Sequence, residues 1–176
     1  MKRRRYLPTT EKRNPRSENI DVLSTLELVD LINAEDLQVP MAVATQRKRI
    51  AAAIDMIVDS FRQGGHLFYV GAGTSGRLGV LDASECPPTF GVSPSMVQGI
   101  IAGGRGALVR SAEGAEDYPE DGAAAIDKKK VKAVDVVVGL AACGMTPYVH
   151  GALKHARSIG AGTVFVTCSW LSSPFG

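Results

Sequence analysis

The run His66-Leu67-Phe68-Tyr69-Val70 breaks off in Gly71-Ala72-Gly73-Thr74-Ser75-Gly76-Arg77, and no other stretch constrains the fold as much. Aromatic and aliphatic residues in a short continuous run predict a strand buried on both faces. A strand that stops in closely spaced glycines and passes into a helix-compatible segment is the junction at which open α/β sheets bind ligands. Three more apolar, β-rich runs follow, Val97 to Ala102, Val134 to Leu140 and Gly162 to Thr167. Between them the spacing predicts helices over about Ser75–Ser84, Gly106–Glu113, Pro119–Lys129 and Pro147–Ser158. The last is the best marked, with Thr146 at the N-cap, Pro147 in the first turn and Gly160 just past the end. Strand and helix alternating in this rhythm predict a three-layer αβα sandwich with a mostly parallel sheet and right-handed crossovers.

Ahead of this unit, residues 1–22 are rich in Lys, Arg, Pro, Asn and Ser and read as an extended arm; residues 23–176 read as the α/β domain with N-terminal helices. Ser24-Thr25-Leu26-Glu27 is a capping box that starts a helix to about Asn33. A second helix is expected over Pro40–Gln63, with Val43, Ile50, Ile54, Ile57, Val58 and Phe61 at helical spacing and Gly64-Gly65 as its stop. With 176 residues, 45% hydrophobic and 22% charged, the chain has the composition of one globular domain. No apolar run reaches the roughly 18 residues of a membrane span. A net charge of +2 is too weak a bias to indicate nucleic acid. The basic cluster Lys2–Arg5 has no apolar segment behind it, so it does not read as a secretory signal. Cys86, Cys143 and Cys168 have no paired spacing, which predicts a reducing, cytoplasmic setting.

The glycine loop matches G-x-G-x-x-G formally, yet the dinucleotide reading needs an acidic residue at the end of the second strand. None lies between Glu85 and Glu113. Walker A chemistry fails as well, because Gly76 is followed by Arg77-Leu78 rather than Lys and a hydroxyl residue. What remains is an amide-rich turn, Gly73 to Gly76, with the adjacent hydroxyls of Thr74 and Ser75, suited to a phosphate monoester. A parallel arrangement follows the third strand in Ala142-Cys143-Gly144-Met145-Thr146-Pro147. Two such loops on neighbouring strands would flank one ligand.

Carboxylates that could move protons fall in two groups, Asp82 with Glu85 and Glu113 with Glu116 and Asp117. The pair Pro87-Pro88 is expected to end the first helix and to hold Glu85 beside the strand-end cleft. The residues alone leave all five candidates open. His150 and His155 are five apart, off a common helix face, so no metal site is expected; no Ser-His-Asp arrangement is legible either.

With these residues in view, the chain resembles the N-acetylmuramic acid 6-phosphate etherases of the SIS (sugar isomerase) fold. The strings that carry the likeness are Thr10-Glu11-Lys12-Arg13-Asn14-Pro15, Leu23-Ser24-Thr25, Ile32-Asn33-Ala34-Glu35-Asp36 and above all Gly71 through Phe90. Ile101-Ala102-Gly103-Gly104, Glu113-Gly114-Ala115-Glu116-Asp117 and Thr146-Pro147-Tyr148-Val149 complete the set. The resemblance implies a flavodoxin-like sheet and a cytoplasmic lyase that converts N-acetylmuramic acid 6-phosphate into N-acetylglucosamine 6-phosphate and D-lactate, by elimination and hydration, in amino sugar catabolism and peptidoglycan recycling. It implies Glu85 and Glu116 as the catalytic pair, and Gly73, Thr74, Ser75, Gly76, Cys143, Gly144 and Thr146 around the substrate phosphate. It implies no metal or organic cofactor, a homodimer with sites near the subunit interface, and no nucleic-acid or membrane partner.

Two departures accompany the likeness. The family's second loop usually reads Ala-Ser-Gly-Arg-Thr where this chain has Ala142-Cys143-Gly144-Met145-Thr146, which should lower phosphate affinity. Family members run to roughly 300 residues, so a fifth strand and a C-terminal helical region are expected to be missing. Two other readings therefore stand beside the lyase: a non-catalytic phosphosugar-binding or regulatory module, like the more distant glucokinase regulatory protein, and a phosphosugar isomerase.

Overall fold

A computed structural model describes residues 9–169; the basic cluster Lys2–Arg5 and the end Ser173–Gly176 lie outside the described residues. Three short 3₁₀ turns, Thr9–Glu11, Pro15–Ser17 and Ile20–Val22, bring in α1 (Thr25–Asp36), α2 (Gln38–Thr45) and α3 (Arg47–Arg62). There follow β1 (Leu67–Gly71), α4 (Gly73–Phe90), β2 (Val97–Ile101), α5 (Pro119–Lys128), β3 (Val136–Leu140), α6 (Pro147–Ile159) and β4 (Gly162–Val166).

The four strands are parallel and lie in the order β2-β1-β3-β4, with Leu67 opposite both Val97 and Val136. This is the expected αβα sandwich. The order of strand addition reverses at β1, whose neighbours β2 and β3 lie on opposite sides of it. That makes the carboxyl ends of β1 and β3 the topological switch point.

Alternate residues of each strand feed two cores. On one face Phe68, Val70, Ile100 and Val137 pack under Ile126 of α5 and Val149, Ala152 and Leu153 of α6. On the other, Leu67, Val97, Val136 and Val138 meet Ala83 of α4, with Ile57 and Phe61 of α3 at the margin. At the foot of the sheet, buried Asp135 accepts the amides of His66 and Lys132 at 2.8 and 2.7 Å and the His66 ring Nδ1 at 3.1 Å. It locks the start of β1 to the start of β3, a structural task for His66.

Three local expectations are corrected. The Pro40–Gln63 helix is two helices that meet at Gln46, whose amide makes a tight i−3 bond to Val43; Pro40 sits in the first turn of α2, where its missing N–H costs nothing. Where a helix over Gly106–Glu113 was expected, only a 3₁₀ turn, Arg105–Leu108, forms, with no side-chain cap ahead of it and Gly114 at φ 72° soon after. Pro87 and Pro88 do not end α4. Each deletes one helical donor near the end, and the helix runs on to Phe90, where Gly91 closes it at φ 65° with its amide on the Pro87 carbonyl.

Candidate functional site

Seating of α4 on the sheet creates the first loop. A Cβ on Gly76 would lie 2.7 Å from Ile101 and 2.8 Å from the Gly71 carbonyl, so only glycine lets helix and strand meet there. Gly76 is accordingly buried, and its amide donates to the Ala72 carbonyl at 3.1 Å. Gly73 takes a left-handed φ of 52° at the turn. The first amides of α4, on Gly73, Thr74 and Ser75, have no side-chain cap. They point out of the positive end of an 18-residue helix. Thr74 is exposed and Ser75 half-buried beside them.

The second loop stands next to the first, because Leu140 lies opposite Gly71. Gly144 is buried, Cys143 and Thr146 half-buried. The Cys143 thiol accepts the Met145 amide at 3.4 Å, turning inward into its own loop. Thr146 is the N-cap of α6, but its hydroxyl makes no cap bond. His150 holds this loop from α6 through a 2.8 Å contact between Nε2 and the Gly144 carbonyl, a role that no sequence motif marked.

Glu116 reaches the site on a loop clamped from two sides. Its carbonyl accepts the amide of Tyr148, in the first turn of α6, at 3.0 Å. Upstream, Gly103 at φ 78° packs directly on Ala107, Ala112 and Ala115, seating the loop on the end of β2. An open cavity of about 200 Å³ results, walled by Gly73, Arg77, Ala102, Glu113 and Glu116. Glu113 is held by the Ser111 hydroxyl, and Arg77 donates Nε to the Leu108 carbonyl at 3.1 Å. Small-molecule sites usually exceed about 300 Å³, so this cavity is smaller than a site that encloses a whole ligand.

Glu85 is elsewhere. It stands twelve residues beyond Gly73 on α4, about 18 Å along the helix, and does not line the cavity. The buried face of α4 is Gly76, Gly79 and Ala83; Glu85 shares the outward face with Leu78 and Leu81, each 58% exposed. Within one chain the structure brings Glu116 to the glycine loop and leaves Glu85 on an open apolar surface. Asp82, its alternative, lies close enough to Tyr69 to act on its phenol. Burial first, and that carboxylate second, push the Tyr69 phenol far above its ordinary value. Burial and the charge of Asp82 also raise the Cys86 thiol.

Residues 49–157, more than half of the chain, match the family described as the glucokinase regulatory protein N-terminal SIS domain. The chain belongs to this SIS family. Among curated proteins it is 60% identical to the N-acetylmuramic acid 6-phosphate etherase of Nostoc sp. over 159 residues, which is 90% of this chain and 52% of that protein. The protein of the same name from Crocosphaera subtropica is 61% identical over the same shares. The chain thus spans about half the length of the curated relatives it matches. Among solved structures, phosphoheptose isomerase GmhA from Neisseria gonorrhoeae superposes with a TM-score of 0.62 at 16% identity. The match covers 82% of this chain and 76% of that one, and it shows a shared fold. No helix among the described residues is long and apolar enough to cross a membrane.

Proposed function

We propose that this SIS domain serves a cytoplasmic lyase that cleaves the D-lactyl ether of N-acetylmuramic acid 6-phosphate. The observation that carries the reading is the placement of the Glu116 carboxylate in one cavity with the uncapped start of α4. A phosphate on the Gly73–Ser75 amides and the Thr74, Ser75 and Thr146 hydroxyls would fix the sugar at the switch point, within reach of a proton-transfer group. The ring-opened aldehyde acidifies the C2 proton. A carboxylate removes that proton, the C3–oxygen bond breaks, and lactate leaves as its oxygen is protonated. Water then adds to the double bond to give N-acetylglucosamine 6-phosphate. Both steps are proton transfers of the kind a glutamate pair performs, so the reading assigns no cofactor.

The same reading assigns a homodimer. Leu78 and Leu81 of α4 are exposed, and the outer faces of α1–α3 expose Leu26, Ile32, Met41 and Ile54. A second copy covering this surface would bury the face that carries Glu85 and complete the carboxylate pair.

The test is release of D-lactate from N-acetylmuramic acid 6-phosphate by the purified chain. Lactate and N-acetylglucosamine 6-phosphate in equal amounts are expected; none, beside an active full-length relative, refutes catalysis by this chain. One observation favours a second reading, a phosphosugar-binding module without turnover: the distance of Glu85 from the cavity within a single chain. Thermal stabilisation by the phosphosugar with no lactate would decide for it.

A further inference from the structure

Arg77 is the cation of the cavity, and nothing in the proposed lyase chemistry has yet used it. It lies four residues beyond Gly73, about 6 Å along α4. Its Nε is spent on the Leu108 carbonyl at 3.1 Å, which fixes the plane of the guanidinium. Among the described residues its terminal N–H groups have no protein acceptor and it makes no ion pair, although Glu113 and Glu116 wall the same cavity. A half-buried guanidinium that is oriented by one bond and otherwise unpaired is a fork waiting for a planar oxyanion.

The strand order says which anion. Thr74 and Ser75 do not line the cavity, and the second hydroxyl loop sits on the β3 side of β1. Arg77 sits on the β2 side. The amide-and-hydroxyl end suits a tetrahedral phosphate, whereas the guanidinium offers two parallel donors that match a carboxylate. Resting on the lyase reading, we infer that Arg77 holds the carboxylate of the substrate's lactyl group, while the start of α4 holds the phosphate. The C6 phosphate and the C3 lactyl group are separated by the width of a sugar ring, which suits two anion sites one helical turn apart. Held this way, the lactyl ether oxygen lies beside Glu116, and Arg77 is a binding residue that selects sugars bearing the acid.

The experiment is calorimetric titration of two ligands that differ in the lactyl group alone, N-acetylmuramic acid 6-phosphate and N-acetylglucosamine 6-phosphate. It is done in the chain carrying Glu85→Gln, which stops consumption of substrate and leaves Arg77 and the residues that wall the cavity unchanged. Adding Arg77→Met should weaken the acid-bearing ligand by about 10- to 100-fold, the range of a charge-assisted pair, and leave the other within about twofold. Arg77→Lys should recover part of the loss. Equal weakening of both ligands would assign Arg77 to the phosphate or to folding and overturn the inference. No change in either, a parent protein that shows no preference for the acid-bearing ligand, or one that binds neither would overturn it too. The lyase reading is judged separately by lactate release from the wild-type chain: selectivity without lactate would keep Arg77 and discard catalysis.

Discussion

The two faces of the sheet are covered very differently. Under α5 and α6 the packing is complete: Val149, Ala152, Leu153, Ala156 and Ile126 are each no more than 1% exposed. The helices themselves touch backbone to backbone, where a Cβ on Gly151 would fall within about 2 Å of the Pro119 carbonyl. The α3–α4 face buries only Gly76, Gly79 and Ala83 of α4 and Ser60 of α3, while α1 and α2 bury nothing. One face is finished within the chain; the other leaves leucines and a glutamate exposed. The candidate catalytic pair is divided in the same way, Glu116 tied to the α6 side and Glu85 carried on the open side.

Substitutions at the two glutamates are the strongest challenge to this division. Glu116→Gln and Glu85→Gln should each lower lactate release by about 10²- to 10⁴-fold with little change in melting temperature. An effect confined to Glu116 would mean that the open face has no part in the chemistry. Next in size is Gly151→Ala on the finished face, expected to cost about 3 kcal/mol in urea unfolding because the methyl meets backbone that cannot yield. A loss under 1 kcal/mol would show that α5 and α6 are looser than described.

A smaller effect separates the faces by pH. Folding raises the Tyr69 pKa through burial and the nearby Asp82 carboxylate, so the folded chain holds this proton more tightly than the unfolded one. Its contribution is present below about pH 10, the unfolded value, and is lost as the pH rises beyond it. Tyr69→Phe should flatten stability against pH above about 10; an unchanged alkaline slope would contradict this. Smallest in stability is Leu81→Ser, expected within about 0.5 kcal/mol for the isolated chain, yet it should shift sedimentation toward monomer.

Much of this was legible in the residues. Continuous apolar runs mark the strands, and Thr146, Pro147 and Gly160 mark α6 to within a residue. The parallel sheet and the two loops at the ends of β1 and β3 follow from that rhythm. The position of Glu85 did not follow, because prolines late in a helix remove single hydrogen bonds while the turns on either side hold the axis. Nor did the break at Gln46, where neither glycine nor proline stands. Arg77 sits in plain view in the glycine motif, but its use depends on Leu108, 31 residues away, which no local pattern reveals. The helical spacing of apolar residues marks the stripe of α3; that only Ile57 and Phe61 of it reach the core, leaving Ile50, Ile54 and Val58 exposed, is a tertiary fact.

The most direct test of the divided site is complementation. Glu85→Gln and Glu116→Gln chains, each inactive alone, are mixed, allowed to exchange subunits and assayed for D-lactate. Return of activity in the mixture is the predicted result, since a mixed pair restores one site with both carboxylates. A mixture as inactive as its parents, beside an active wild-type chain, would contradict it.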